Sequence, residues 1–158
     1  MISFNLEAGR FNFRSAAVII HDDHLLIHQV VGDDFWALPG GRVEFLEASH
    51  QTIEREMLEE LGMRCEVTQH LWHVESFYEF ESKHYHEMGN YFLVRPIDPP
   101  EIISNADFAG IEETVDLVFR WIPLTELQQY NLQPAFLIER LTDLPTTTEA
   151  LVIDEIHT

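Results

Sequence analysis

The hydrophobic pattern of this chain changes period near residue 48, and that change narrows the folds open to it. From about Ala48 to Leu61 the apolar residues Ile53, Met57 and Leu61 recur every fourth position, a helical stripe, and Gly62 stands where a helix would stop. On both sides the pattern is that of strands. Ala16-Ala17-Val18-Ile19-Ile20 and Leu25-Leu26-Ile27 flank the turn signal His21-Asp22-Asp23 and predict a hairpin that begins near Arg14. Residues 64–80 and 84–94 are rich in aromatic and β-branched side chains and predict a second, longer hairpin turning at Glu81-Ser82-Lys83. Pro39-Gly40-Gly41 is expected to break regular structure, and 97–110, with Asp98-Pro99-Pro100, to form an ordered loop long enough to be functional. Leu117 to Ile122 predicts a further strand. Pro123 and Pro134 suit the first turns of short helices at 124–129 and 135–141, and Leu151-Val152-Ile153 predicts a short edge strand. Strands around one helix, with more helices near the end, predict an α/β fold with a mixed central sheet between helical layers. A single domain over residues 1–158 accommodates it.

Charge limits the function. The formal net charge is -19, from 28 acidic against 9 basic residues, so a phosphate backbone would be repelled over most of the surface and a broad nucleic-acid platform is not expected. A small anion can still bind where a divalent cation neutralises the local acidic groups. The lone Cys65 excludes an intrachain disulfide and is expected to be a buried thiol. The first residues lack a basic flank followed by an apolar stretch, and no apolar run reaches about 18 residues. The expectation is a cytoplasmic protein without membrane contact, with a homodimer left open.

The chemistry concentrates on the predicted helix. Glu56, Glu59 and Glu60 are related as i, i+3 and i+4 and project from one helical face, where three like charges weaken an isolated helix. The same trio offers the hard oxygen ligands that magnesium or manganese prefers, with positions left for water and phosphate. Arg55 precedes the trio and lies four residues before Glu59, so its guanidinium is expected to orient carboxylates. Gly40 and Gly41 let the backbone approach a ligand closely. A Glu-rich helix is ordinarily only a solvated face. Here Gly41, Glu47, Arg55, Glu56, Glu59, Glu60 and Gly62 fall in one fixed spacing, which chance would give in roughly one chain in a million at ordinary residue frequencies.

At these residues the chain resembles the Nudix hydrolase family, whose signature it matches over 41–63, with Met57 and Met63 at two usually aliphatic positions. Trp36-Ala37-Leu38-Pro39-Gly40 and Arg120-Trp121-Ile122-Pro123-Leu124, with Glu126-Leu127, extend the likeness over about Phe13 to Leu141. The resemblance implies an α/β/α sandwich that hydrolyses a nucleoside diphosphate linked to another moiety, with Mg2+ or Mn2+ as the cofactor. ADP-ribose-like, nucleotide-sugar, dinucleoside polyphosphate and modified nucleoside triphosphate substrates all remain open. It implies Glu56 and Glu60 as metal ligands, Glu59 as a further ligand or water-mediated partner, Gly41 as a carbonyl ligand, and Glu47 as an orienting group. For the water-activating base it leaves Glu56 on the helix and Glu112, Glu113 and Asp116 on a later loop. Glu87 is a minor site candidate through a His86-Glu87 pair found in some members. Two other readings stand beside it: a metal–nucleotide binding or regulatory domain without turnover, and an RNA-directed hydrolase, which the acidic charge disfavours. His84 and His86 alternate along a strand without companions at zinc-like spacing. Phe35, Trp36, Phe77, Tyr78 and Phe80 could stack on a base, although strand aromatics are more often core. No Gly-rich segment ends in Lys-Ser or Lys-Thr, so a P-loop is absent.

Overall fold

The computed structural model describes residues 1–114 and 116–157. Strand β2 (Gly9–His21) is the organising element. It runs parallel to β6 (Lys83–Pro96) in continuous register from Gly9↔His84 to Ile19↔Val94. Its other edge is shared by three partners: β1 (Ser3–Leu6) at its start, β4 (Gly40–Arg42) at Arg14 to Ala16, and β3 (His24–Val30) at only its last two residues. The early divergence of β3 from β2 opens the place that β4 fills. Beyond β6 lies β5 (Cys65–Phe80), antiparallel to it, with β9 (Glu149–Asp154) parallel on the far edge. Beyond β3 lie β8 (Leu117–Pro123) and the short β7 (Asp107–Ala109).

Both hairpins form where the sequence places them, through two-residue turns with positive φ at Asp22 and Asp23 and at Glu81 and Ser82. His21 belongs to β2 and Lys83 to β6, not to the turns. Three strands lie outside the sequence expectations: β1, β4, which replaces the expected break at Gly40-Gly41, and β7, inside the expected loop.

The sheet is buried on both faces, so its central strands read as apolar runs. Ala16, Val18, Leu25 and Ile27 face one core with Trp72, Leu127, Leu137 and Leu141, under the 3-10 helix Leu124–Gln129 and helix α2 (Leu137–Arg140). Ala17, Ile19 and Leu26 face the opposite way and pack with Ile53 and Met57 of helix α1 (Ser49–Leu61). Gly62, at φ 64°, ends α1 in the left-handed region. At its start Ala48 has no hydroxyl to offer, and the Gln51 side chain accepts the Ala48 N–H at 3.0 Å instead. Cys65 is buried in the α1-side core, and burial pushes its thiol up to about 11, so it stays protonated. Among the described residues no helix is long and apolar enough to cross a membrane.

Candidate active site

The loop before α1 and the helix itself are locked by one guanidinium. Arg55 Nε donates to Glu47 Oε2 at 2.7 Å, Nη2 to Glu47 Oε1 at 3.1 Å, and Nη1 to Glu56 Oε1 at 2.9 Å. The bond to Glu59 is the longest of these carboxylate contacts, at 3.3 Å, and Glu59 is exposed. Glu47 also accepts the Thr52 hydroxyl at 2.6 Å. The Arg55 bonds are the main reason that its carboxyl is held well below the usual range, and Glu47 in turn raises Arg55. Glu47 therefore orients the loop and Arg55, and Arg55 aims Glu56.

Glu56 and Glu60 lie four residues apart on α1, close enough for each to act on the other's charge. Burial, first, and the neighbouring Glu56 charge push Glu60 up to about 8. Glu60 is only 8% exposed, and its Oε2 is buried with no hydrogen-bond partner. An orphaned carboxylate oxygen is costly unless something absent from the protein satisfies it. Next to the pair, a Cβ on Gly41 would lie 2.5 Å from Glu56 Oε1. Hard, close-set oxygens with one unclaimed lone-pair face fit a divalent cation. Among the described residues no three His, Cys, Asp or Glu side chains are grouped so as to hold a metal ion, so Glu59 does not join Glu56 and Glu60 as a third converging ligand.

One consequence can be measured without substrate. A raised Glu60 means that the folded chain binds more protons than the unfolded chain between pH of about 4.5 and 8, so stability falls as pH rises through that window. Glu47, with a depressed value, loses its contribution only toward strong acid and does not oppose this. In EDTA, melting temperature should drop from pH 5.5 to pH 8.5, and the drop should shrink when magnesium is added. Equal melting temperatures in EDTA at both pH values would remove the buried-charge account of Glu60.

The pair opens into a cavity of about 700 Å³. Gly40, Gly41, Arg14 and Arg42 line it, with Gly41 against Glu56, Arg14 within electrostatic reach of Glu60 and Arg42 near Glu87 and Tyr85, and Phe35, Tyr78, Phe80 and Tyr85 supply aromatic surface. Tyr78 and Tyr85 stack in parallel with centroids 5.1 Å apart, and the Tyr78 hydroxyl donates to Glu87 Oε2 at 3.1 Å. Behind α1, the Ile111 N–H donates to the Glu60 carbonyl at 2.7 Å and ties the following loop to the helix end. Residues 12–141 match the family model of the NUDIX domain. The chain belongs to the Nudix family.

Known Nudix proteins agree with this at the level of fold. A Nudix hydrolase from Nitrosomonas europaea superposes with a TM-score of 0.63 at 17% identity, over 96% of this chain and 82% of that one. A MutT mutator protein from Bacillus halodurans gives 0.62 at 14% identity, over 91% of each chain. An ADP-ribose pyrophosphatase from Streptococcus suis gives 0.56 at 16% identity, over 89% of this chain and 98% of that one. In sequence, 92 residues are 28% identical to a Mycobacterium tuberculosis protein that bears the name mutator protein MutT4, covering 58% of this chain. The match spans about a third of that relative, 34% of its length.

Within the Nudix signature, the structure brings Glu56, Glu60 and Gly41 together at the cavity and leaves Glu59 and Glu47 off its lining. The loop carboxylates Glu112, Glu113 and Asp116 are all exposed and none lines the cavity, although the Glu112 charge acts on Glu60. Glu87 lines the cavity, as do Phe35, Phe77, Tyr78 and Phe80. Trp36 does not. It is core, and the Arg120 guanidinium lies 4.7 Å from its ring centroid. Arg14, Arg42, Tyr85 and Gln133 also line the cavity and were not singled out by sequence, because only strand register and chain return bring them there.

Proposed function

We propose that this Nudix protein is a divalent-metal-dependent hydrolase that cleaves a P–O bond of the P–O–P bridge in a small nucleotide-like substrate. The observation that carries this reading is the Glu56–Glu60 pair at the cavity, with Glu60 Oε2 buried and unpartnered. Glu56 and Glu60 would hold Mg2+ or Mn2+, with the Gly41 backbone and, through water, Glu59 as outer contributors. When bound, the cation supplies neutralisation of phosphate charge and a lowered pKa for the attacking water. The protein's own part is orientation and proton handling. Arg55 fixes Glu56 at 2.9 Å through its anchor on Glu47, so the carboxylate is set before substrate arrives. The base that takes a proton from water is Glu56 or a loop carboxylate, with Glu112 favoured among the latter because its charge acts on Glu60. The aromatic walls provide stacking surface for a base or sugar. A cytoplasmic setting fits the single, buried thiol.

Hydrolysis in heavy-oxygen water with Mg2+ tests the bond. The expected products are a nucleoside monophosphate and a second phosphorylated fragment, with the label on one of them, and turnover lost in excess EDTA and restored by Mg2+ or Mn2+. Nucleoside and inorganic phosphate as first products would overturn the reading, as would tight binding without turnover across a panel of pyrophosphate compounds. The second result would favour a metal–nucleotide binding domain.

A further inference from the structure

The cavity wall carries a cluster of arginines that no direct ion pair neutralises. Arg14 on β2 and Arg42 on β4 are direct cross-strand partners in an antiparallel pair, an arrangement that is unfavourable for like charges. Arg10 lies four residues before Arg14 on β2, hence on the same face of the strand, and adds to the repulsion at Arg42. In a chain with 28 acidic residues, Arg55, Arg64, Arg95, Arg120 and Arg140 each reach a carboxylate. Among the described residues Arg10, Arg14 and Arg42 form no such pair. Their bonds are to neutral groups: Arg10 Nε to Ser3 Oγ at 2.8 Å, Arg14 Nη2 to the Leu38 carbonyl at 2.9 Å, and Arg42 Nη1 to Met1 Sδ at 3.2 Å. The nearby Glu87 accepts the Tyr78 hydroxyl at 3.1 Å and offsets part of the repulsion at Arg42 without forming an ion pair with it. Arg14 faces Gly89 across the parallel pair with β6, beside the Tyr91 ring. Both Arg14 and Arg42 are half-buried and line the same cavity as Glu56 and Glu60.

The geometry points to the Arg14–Arg42 pair as a phosphate-binding clamp that holds the substrate phosphate next to the one attacked at Glu56 and Glu60. The inference rests on the pyrophosphohydrolase reading for the identity of the ligand. Each guanidinium can present parallel N–H donors to phosphate oxygens, and one anion between the two resolves their repulsion. The clamp gives a division of labour along the wall: carboxylates, and the cation they suit, at the scissile phosphorus, and arginines at its neighbour. A nucleoside monophosphate, with no second phosphate, should engage only one of these subsites.

Calorimetric titration with methylenediphosphonate, which cannot be hydrolysed, in the presence of Mg2+ tests the clamp directly. Arg42→Gln should raise the dissociation constant at least tenfold, and Arg42→Lys should recover part of the loss. The ligand-free Arg42→Gln protein should melt at or above the parent temperature, since a like-charge contact is removed, while the rise in Tm produced by methylenediphosphonate should shrink. Parent-like affinity in Arg42→Gln, or a clear drop in its ligand-free Tm, would overturn the clamp. Because the probe is never turned over, diphosphonate binding that depends on Arg42 supports the clamp even in a protein that hydrolyses nothing. Turnover unaffected by the substitution sinks the clamp and leaves the hydrolase reading in place.

Discussion

Glu60→Gln should slow turnover on the order of 100- to 10,000-fold, the loss expected when several kcal/mol of transition-state stabilisation disappear with a metal ligand. The fold should survive, for a reason specific to this site. Glu60 is pushed up to about 8, so near neutral pH it is largely protonated in the metal-free protein, and a neutral amide of the same shape changes little. At pH 9 the parent must hold a buried charge beside Glu56 whereas the variant need not, so the variant should melt higher than the parent in EDTA. Magnesium should reverse the order, since a ligand that binds only the folded state raises stability in proportion to its affinity. Parallel melts at pH 7 and pH 9, with and without magnesium, separate the metal role from a folding role. Near-normal turnover would remove Glu60 from the metal site. A variant that melts well below the parent in EDTA would make the residue structural.

The helix that carries these carboxylates was legible from sequence because every signal for it is local. Ile53, Met57 and Leu61 set the buried stripe, Gly62 provides the left-handed stop, and the carboxylate spacing follows from the helical repeat. The two hairpins were legible for the same reason: their turns are adjacent in the chain, and Asp22-Asp23 and Glu81-Ser82 adopt positive φ between strands with strong apolar patterns. What escaped the sequence depends on distant pairing. Ser3–Leu6 becomes a strand because β2 has an open edge there, and Gly40–Arg42 becomes one because the same edge is free from Arg14 to Ala16. Neither segment has much strand propensity, and tertiary pairing overrides it. The Arg14–Arg42 wall was hidden for a related cause, since a one-residue slip in register would send either side chain to the opposite face. Aromatics divide the same way. Trp36 and Phe35 are neighbours in sequence, yet one is core and the other lines the cavity.

Gly41 shows how closely backbone and chemistry are coupled, and Gly41→Ala is expected to have the second-largest effect on rate. Gly41 lies in β4 and does not have positive φ, so alanine imposes no backbone strain there, and at such a site the exchange can even stabilise by about 0.4–1 kcal/mol through the unfolded chain. The added Cβ would nevertheless sit 2.5 Å from both Cδ and Oε1 of Glu56 and 2.8 Å from its Cγ. Ordinary carbon contacts lie at about 3.5–4.0 Å, so the side chain must withdraw by roughly 1 Å. Glu56 is flexible enough to do so without disturbing the core, but its withdrawal breaks the alignment with Arg55 and with Glu60. A misplacement of about 1 Å costs on the order of 100-fold in rate. The expected result is therefore a protein that melts within a few degrees of the parent, turns over roughly 100 times more slowly, and binds magnesium more weakly by calorimetry. Glu56→Asp placed in the Gly41→Ala background shortens the side chain that clashes, and should lower activity by a smaller factor than it does in the parent. If Gly41→Ala keeps parental turnover, the close approach of β4 to α1 has no part in positioning Glu56.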